Sequence, residues 1–101
     1  MSLQPAEPAR EPVAVLGAGS WGTALAIQFA RAGHPTRLWG RDTAHIATLA
    51  AARRNERYLG DAEFPDSLSV TDSLTTALHD ALDVVIAVPS HALRKLLGEI
   101  A

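Results

Sequence analysis

The chain has 101 residues, 48% of them hydrophobic and 20% charged, with a formal net charge of −2 at pH 7 and no cysteine. That length holds one domain rather than two; the slight acidity leaves no basic patch for nucleic acid or an anionic membrane surface, and no apolar run approaches the ~20 residues of a membrane span. Without cysteine there is neither disulfide nor thiolate chemistry, which suits a reducing cytoplasm, the location expected for the chain.

Residues 1–12 hold Pro5, Pro8 and Pro12 and mixed charge without an apolar core. They read as a disordered leader rather than a secretory signal, with the domain occupying 13–101. Val13-Ala14-Val15-Leu16 is a short apolar run that ends at Gly17, the signature of a buried parallel strand. From Trp21 the period changes: Trp21, Leu25, Phe29 and Ala32 recur along one stripe of a helix. Gly33-His34-Pro35 stops that helix. Thr36-Arg37-Leu38-Trp39-Gly40 alternates as a second strand, which completes a βαβ unit with parallel strands. Asp42 or Thr43 caps the next helix, running to about Arg54 with Ile46, Leu49, Ala50 and Arg53 on one side. Asn55 to Ser67 reads as loop, and the pair Arg53-Arg54 as a solvated helix end.

Leu68-Ser69-Val70-Thr71 is the third predicted strand. A brief helix starts from Asp72 or Ser73, with Leu74, Leu78 and Leu82 along one stripe. Asp83 to Val88 is the most β-prone run in the chain and makes the fourth strand. Pro89 ends it, Ser90 caps the last helix, and Leu93, Leu96, Leu97 and Ile100 form an apolar stripe to the end. The order βαβαβαβα predicts an α/β fold: half of a Rossmann-like, doubly wound parallel sheet in spatial order 3-2-1-4, with helices on both faces. The first and fourth strands then meet at the topological switch point, where such sheets bind ligands. Gly17-Ala18-Gly19 and Val88-Pro89-Ser90 should face each other across that crevice.

The turn between the first strand and the first helix spells G-x-G-x-x-G with Gly17, Gly19 and Gly22. Gly17 makes the tight turn, Gly19 lets a pyrophosphate approach the backbone, and Gly22 lets helix and strand come close. The first amides of the helix lack partners within it and sit at its positive end, so they suit a phosphate. A strand before and a helix after supply the context that this otherwise weak pattern needs. A tight turn that binds nothing is the alternative. Many NAD sites place an acidic residue near the end of the second strand for the ribose 2′-hydroxyl. Here Trp39-Gly40-Arg41 comes after Leu38, and Arg41 offers a planar cation to a 2′-phosphate, which favours NADP, as NADPH, over NAD. A solvated loop charge is the plainer reading of Arg41, and a helix cap that of Asp42. Trp21 reads as core at its spacing, while the Ser20-Trp21 backbone can contact the pyrophosphate.

Four blocks in this order, Gly17 to Ala26, Leu38-Trp39-Gly40-Arg41-Asp42, Asn55-Glu56-Arg57-Tyr58-Leu59 and Ala87-Val88-Pro89-Ser90, closely resemble bacterial glycerol-3-phosphate dehydrogenase. The resemblance covers nearly all of residues 13–101. It implies a soluble NAD(P)-dependent enzyme that makes glycerol 3-phosphate from dihydroxyacetone phosphate for phospholipid synthesis. It also implies that Ser20, Trp21 and Arg41 hold cofactor, and that 55–59 lies beside the cofactor cleft. The family usually shows Pro where this chain has Gly60. Its further strands, its helical domain and its catalytic and substrate-binding lysines match nothing here, and Lys95, the one lysine, does not correspond to them. The chain therefore looks like the cofactor-binding portion, inactive by itself. The site residues expected from pattern and resemblance together are Gly17, Gly19, Ser20, Trp21, Gly22, Arg41 and Pro89, with no catalytic residue and no metal ligand.

Two other readings compete: a stand-alone, non-catalytic dinucleotide-binding module, and an oxidoreductase of the ketopantoate or 6-phosphogluconate type, which Ser20-Trp21-Gly22-Thr23 and Val88-Pro89-Ser90 weaken. His34, His45, His79 and His91 are scattered, without metal-ligand spacing. His91, just past Pro89, reads as a solvent-facing residue of the first helical turn. The fourth strand is expected to expose an unpaired edge and to promote self-association through it, or exchange of the last helix between protomers.

Overall fold

Val13, Ala14, Val15 and Leu16 are each at most 1% exposed, as befits a strand covered on both faces. In the computed structural model, which describes residues 11–60 and 62–100, these four residues form β1 (Val13–Leu16) at the centre of a parallel sheet ordered β3-β2-β1-β4. Its partners are β2 (Thr36–Trp39), in register Val13 with Thr36, and β4 (Asp83–Ile86), in register Val13 with Asp83. β3 (Leu68–Thr71) pairs with β2 from Thr36 opposite Leu68. The predicted order 3-2-1-4 is the observed one.

Strand alternation sorts the core into two layers. On one face Val13, Val15 and Leu38 pack with residues of α1 (Ser20–Arg31) and α2 (Thr43–Ala52), joined by Phe64 and Leu68. On the other, Ala14, Leu16 and Trp39 meet Ala77 of α4 (Leu74–Leu78) and Leu96 of α5 (Ser90–Ile100). Trp39 also donates its indole N–H to the Asp72 carbonyl at 3.1 Å, which satisfies its one polar atom.

Several expectations need correction. α1 does not bury the Trp21 stripe. Its inward face is Gly22, Thr23, Ala26, Ile27 and Ala30, and Trp21 is 68% exposed. The reason is distance: small residues let the helix lie close to the sheet, and a bulky stripe would hold it off. In α2, Ile46 and Leu49 are buried but Ala50 is exposed. The segment 55–67 is not all loop, since α3 (Glu56–Leu59) adds one helical turn. Nor is the Arg53-Arg54 pair simply solvated. Arg53 adopts a left-handed conformation, donates to the Pro65 carbonyl at 2.9 Å and lies over the Phe64 ring, while Arg54 pairs with Glu63 at 3.4 Å. β4 stops at Ile86 rather than Val88, and α4 ends before Leu82, which is 64% exposed. Along α5 only Leu96 of the expected stripe is fully buried. The amide of Ala92 bonds the Pro89 carbonyl at 2.9 Å, which places Ser90 inside the helix rather than at its cap.

Capping matches the sequence elsewhere. Asp42 accepts from the His45 amide at 3.1 Å at the start of α2, and Ser73 accepts from the Thr76 amide at 3.2 Å at the start of α4. Arg37 donates to the Ala77 carbonyl at 3.0 Å and to the His79 carbonyl, which serves the unpaired end of α4. Residues 1–10, most of the expected disordered leader, lie outside the described residues. Pro12 is already tied to the fold, its carbonyl accepting from the Leu82 amide at 3.2 Å. Among the described residues no helix is long and apolar enough to cross a membrane.

Candidate functional site

β1 and β4 both end at one corner, where the ladder continues beyond the strands: the Gly17 amide donates to Trp39 O at 2.8 Å and the Ala87 amide to Leu16 O at 2.8 Å. Past these bonds the chains separate, β1 into the glycine turn and β4 through Pro89 into α5. The gap between them is a cleft of about 670 Å³. Its walls are Gly17 to Trp21 on one side and Ile86 to Pro89 on the other, with Trp39, Gly40 and Arg41 at the β2 end and Ala92 and Leu96 from α5. The crevice expected between the two loops is therefore present.

The glycine turn owes its shape to contacts within this corner. Gly17 has φ +125°, and a Cβ there would lie 2.5 Å from the Ala87 carbonyl oxygen. A Cβ on Gly22 would lie 1.8 Å from the Gly17 carbonyl oxygen, so α1 can pack against the turn only with a hydrogen at that place. Gly19 differs from both: a Cβ there would meet nothing within 4 Å. It faces open space at the cap position of α1, supplies no side-chain cap, and precedes a first turn without an acidic residue. The first amides of α1 thus have no acceptor inside the helix and no carboxylate nearby in sequence. Backbone N–H groups at the positive end of a helix, opening on a cleft, suit an anion.

A buried amide holds this turn in place. Asn55 is fully buried, and its Nδ2 donates to Ala18 O at 3.1 Å and to Thr23 Oγ1 at 2.8 Å. One side chain thereby ties the glycine turn, the first turns of α1 and the segment after α2 together. Among the described residues its Oδ1 has no hydrogen-bond partner.

At the β2 end the Arg41 guanidinium lies over the Trp39 ring, 5.3 Å from its centroid, and forms an ion pair with Glu99 of α5 at 2.8 Å. The two side chains are 50% and 36% exposed. Arg41 is thus not the freely solvated loop charge that its neighbours in sequence would allow, although an exposed pair of this kind stabilises by only about 0–1 kcal/mol.

Of the seven expected site residues, Gly17, Gly19, Ser20, Trp21, Arg41 and Pro89 line the cleft. Gly22 lies beneath it, packed on the turn. Sequence reasoning missed Trp39, which lines the β2 end, and Glu99, which has no local signal and meets Arg41 only through the fold. It placed Asn55 beside the cleft by resemblance but assigned it no part. His91 is exposed in the first turn of α5, as expected.

Comparison with known proteins agrees with this geometry. The family model described as NAD-dependent glycerol-3-phosphate dehydrogenase N-terminus matches residues 12–101. A glycerol-3-phosphate dehydrogenase [NAD(P)+] of Edwardsiella ictaluri is 52% identical over 88 residues, 87% of this chain and 26% of that protein. The corresponding protein of Thioalkalivibrio sulfidiphilus is 53% identical over 90 residues, 89% of this chain and 27% of that protein. Among solved structures, glycerol-3-phosphate dehydrogenase from Coxiella burnetii superposes with a TM-score of 0.88 at 40% identity, covering 92% of this chain and 29% of that one. The chain spans about a quarter of the length of the curated relatives it matches. It belongs to the NAD-dependent glycerol-3-phosphate dehydrogenase family and corresponds to the N-terminal region of that family.

Proposed function

We propose that the cleft binds a nicotinamide dinucleotide, with NADPH favoured over NADH. In this reading the chain is the cofactor-binding portion of an enzyme that reduces dihydroxyacetone phosphate to glycerol 3-phosphate in the cytoplasm. The observation that carries the reading is the open space over Gly19 at the bare N-terminus of α1, inside the cleft between β1 and β4. A diphosphate needs that combination: backbone donors, a positive helix end and no Cβ in the way. The residues present therefore fit the group. The amides of Ser20, Trp21 and Gly22 would hold the diphosphate, and Arg41 with Trp39 would receive the adenosine end, where a 2′-phosphate gains a guanidinium partner. Pro89 would border the nicotinamide end. A bound nicotinamide would supply the hydride, and the part of this chain would be to bind and orient it.

Trp21 and Trp39 both line the cleft, so their fluorescence reports binding directly. Titration of the 101-residue chain with NADPH and NADH should quench it saturably, NADPH at the lower concentration. Absence of a saturable response to either nucleotide overturns the reading, and tighter binding of NADH overturns the preference. For the substrate half, a fusion of this chain to the remaining part of the Edwardsiella ictaluri relative should oxidise NADPH only when dihydroxyacetone phosphate is added. An inert but folded fusion would count against it.

A second reading concerns the isolated chain, which would associate with itself through β4. That strand is a sheet edge, and Val84 and Ile86 are exposed along it. An unpaired edge with apolar side chains favours pairing with a second copy.

A further inference from the structure

Arg41 stands near the end of β2, where many dinucleotide sites carry a carboxylate for the ribose 2′-hydroxyl. A carboxylate nevertheless reaches this corner, and it comes from α5. Glu99 Oε2 accepts from Arg41 Nη2 at 2.8 Å and Oε1 accepts from Nη1 at 3.4 Å, a two-pronged pair between residues 58 positions apart. α5 has no basic residue in its last turn, so Glu99 meets its cation from outside the helix, in Arg41. Glu99 holds the Nη1/Nη2 edge, one of the two edges by which a guanidinium grips two phosphate oxygens with parallel N–H bonds. Because both side chains are substantially exposed, the pair is of the weak kind that a competing anion displaces.

We propose that Glu99 is a specificity-determining residue of the site: its carboxylate competes with a ribose 2′-phosphate for Arg41 and so limits the preference for NADPH over NADH. The inference rests on the dinucleotide reading above. A 2′-phosphate must displace Glu99 from Arg41 or share the guanidinium with it, next to a like charge. A 2′-hydroxyl brings no charge and can donate to the same carboxylate. The Arg41–Glu99 pair thus serves both cofactors from one corner, whereas Arg41 alone would select strongly for the phosphorylated one.

The test is tryptophan-fluorescence titration of the 101-residue chain and of Glu99→Gln with NADPH and with NADH. Glu99→Gln should tighten NADPH about three- to fivefold, the scale of an exposed ion pair, and leave NADH unchanged or weaker. In an Arg41→Ala background the same substitution should move the NADPH-to-NADH affinity ratio less than about twofold, since the competition would have lost its object. An unchanged ratio in Glu99→Gln, with the parent chain binding both nucleotides, overturns the role of Glu99 and leaves the dinucleotide reading standing. An equal shift with and without Arg41 overturns it too. A parent chain that binds neither nucleotide removes the reading and the inference together.

Discussion

Asn55 Nδ2 donates to the carbonyl of Ala18 at 3.1 Å, across 37 positions of sequence, and this bond fixes the middle of the glycine turn from behind. The same nitrogen donates to Thr23 Oγ1 at 2.8 Å, so the turn and the helix beyond it share one buried anchor. The open face of the turn is left to the cleft, while its closed face is satisfied by protein. This division is what allows a loop made largely of small residues to keep one shape.

Asn55→Ala removes a donor to two buried acceptors and leaves Ala18 O and Thr23 Oγ1 to be satisfied otherwise. It should destabilise the chain by about 1–3 kcal/mol. The measurement is the urea midpoint monitored by far-UV circular dichroism. Dinucleotide affinity should fall further than stability predicts under conditions where the variant is folded, because the turn loses its anchor. A variant with parental midpoint and parental affinity would show that the anchor is dispensable.

Gly19→Ala and Gly22→Ala should separate binding from folding. The Gly19 site has room for a methyl group, so the variant should keep a melting temperature within a few degrees of the parent and lose most of its affinity for NADPH. At Gly22 the methyl group would fall 1.8 Å from the Gly17 carbonyl oxygen, and α1 must move to admit it. That variant should be destabilised by about 1–3 kcal/mol or more, as overpacking typically costs. Retained affinity in Gly19→Ala would argue that no diphosphate comes near that atom.

Leu96→Ala tests whether α5 is held by its fully buried leucine, which packs with Leu16, Trp39 and Ala77. Removing a buried leucine costs about 2–5 kcal/mol. Since the rest of the α5 stripe is less buried, the loss should appear first as local release of that helix, with early amide exchange over 90–100. Arg41 would then lose Glu99, so the NADPH-to-NADH ratio should rise as in Glu99→Gln.

Self-association through β4 should respond to charge on the strand. Light scattering at increasing concentration should show dimers for the parent chain and a shift toward monomer for Val84→Lys, because a lysine on an exposed edge strand opposes pairing with another strand. A parent chain that stays monomeric at high concentration removes the prediction.

The order of elements, the parallel sheet and the glycine turn were legible in the residues because each depends on local pattern: four apolar residues before Gly17, three spaced glycines, and connections long enough to carry crossovers. Val13 to Leu16 could be read as central since both of its alternating faces are apolar. The switch-point position of the cleft came from strand order alone. The buried face of α1 was not legible, because helical spacing identifies apolar stripes but not the distance at which the helix will pack. Gly22, lying against the Gly17 carbonyl, settled that distance in favour of the small residues and turned Trp21 outward into the cleft. The partners of Asn55 and Arg41 were likewise decided only by the fold. Hydrogen bonds and ion pairs between residues 37 and 58 positions apart leave no local periodicity, and they exist only once the sheet has brought the segment after α2, α5 and the ends of β1 and β2 to one corner.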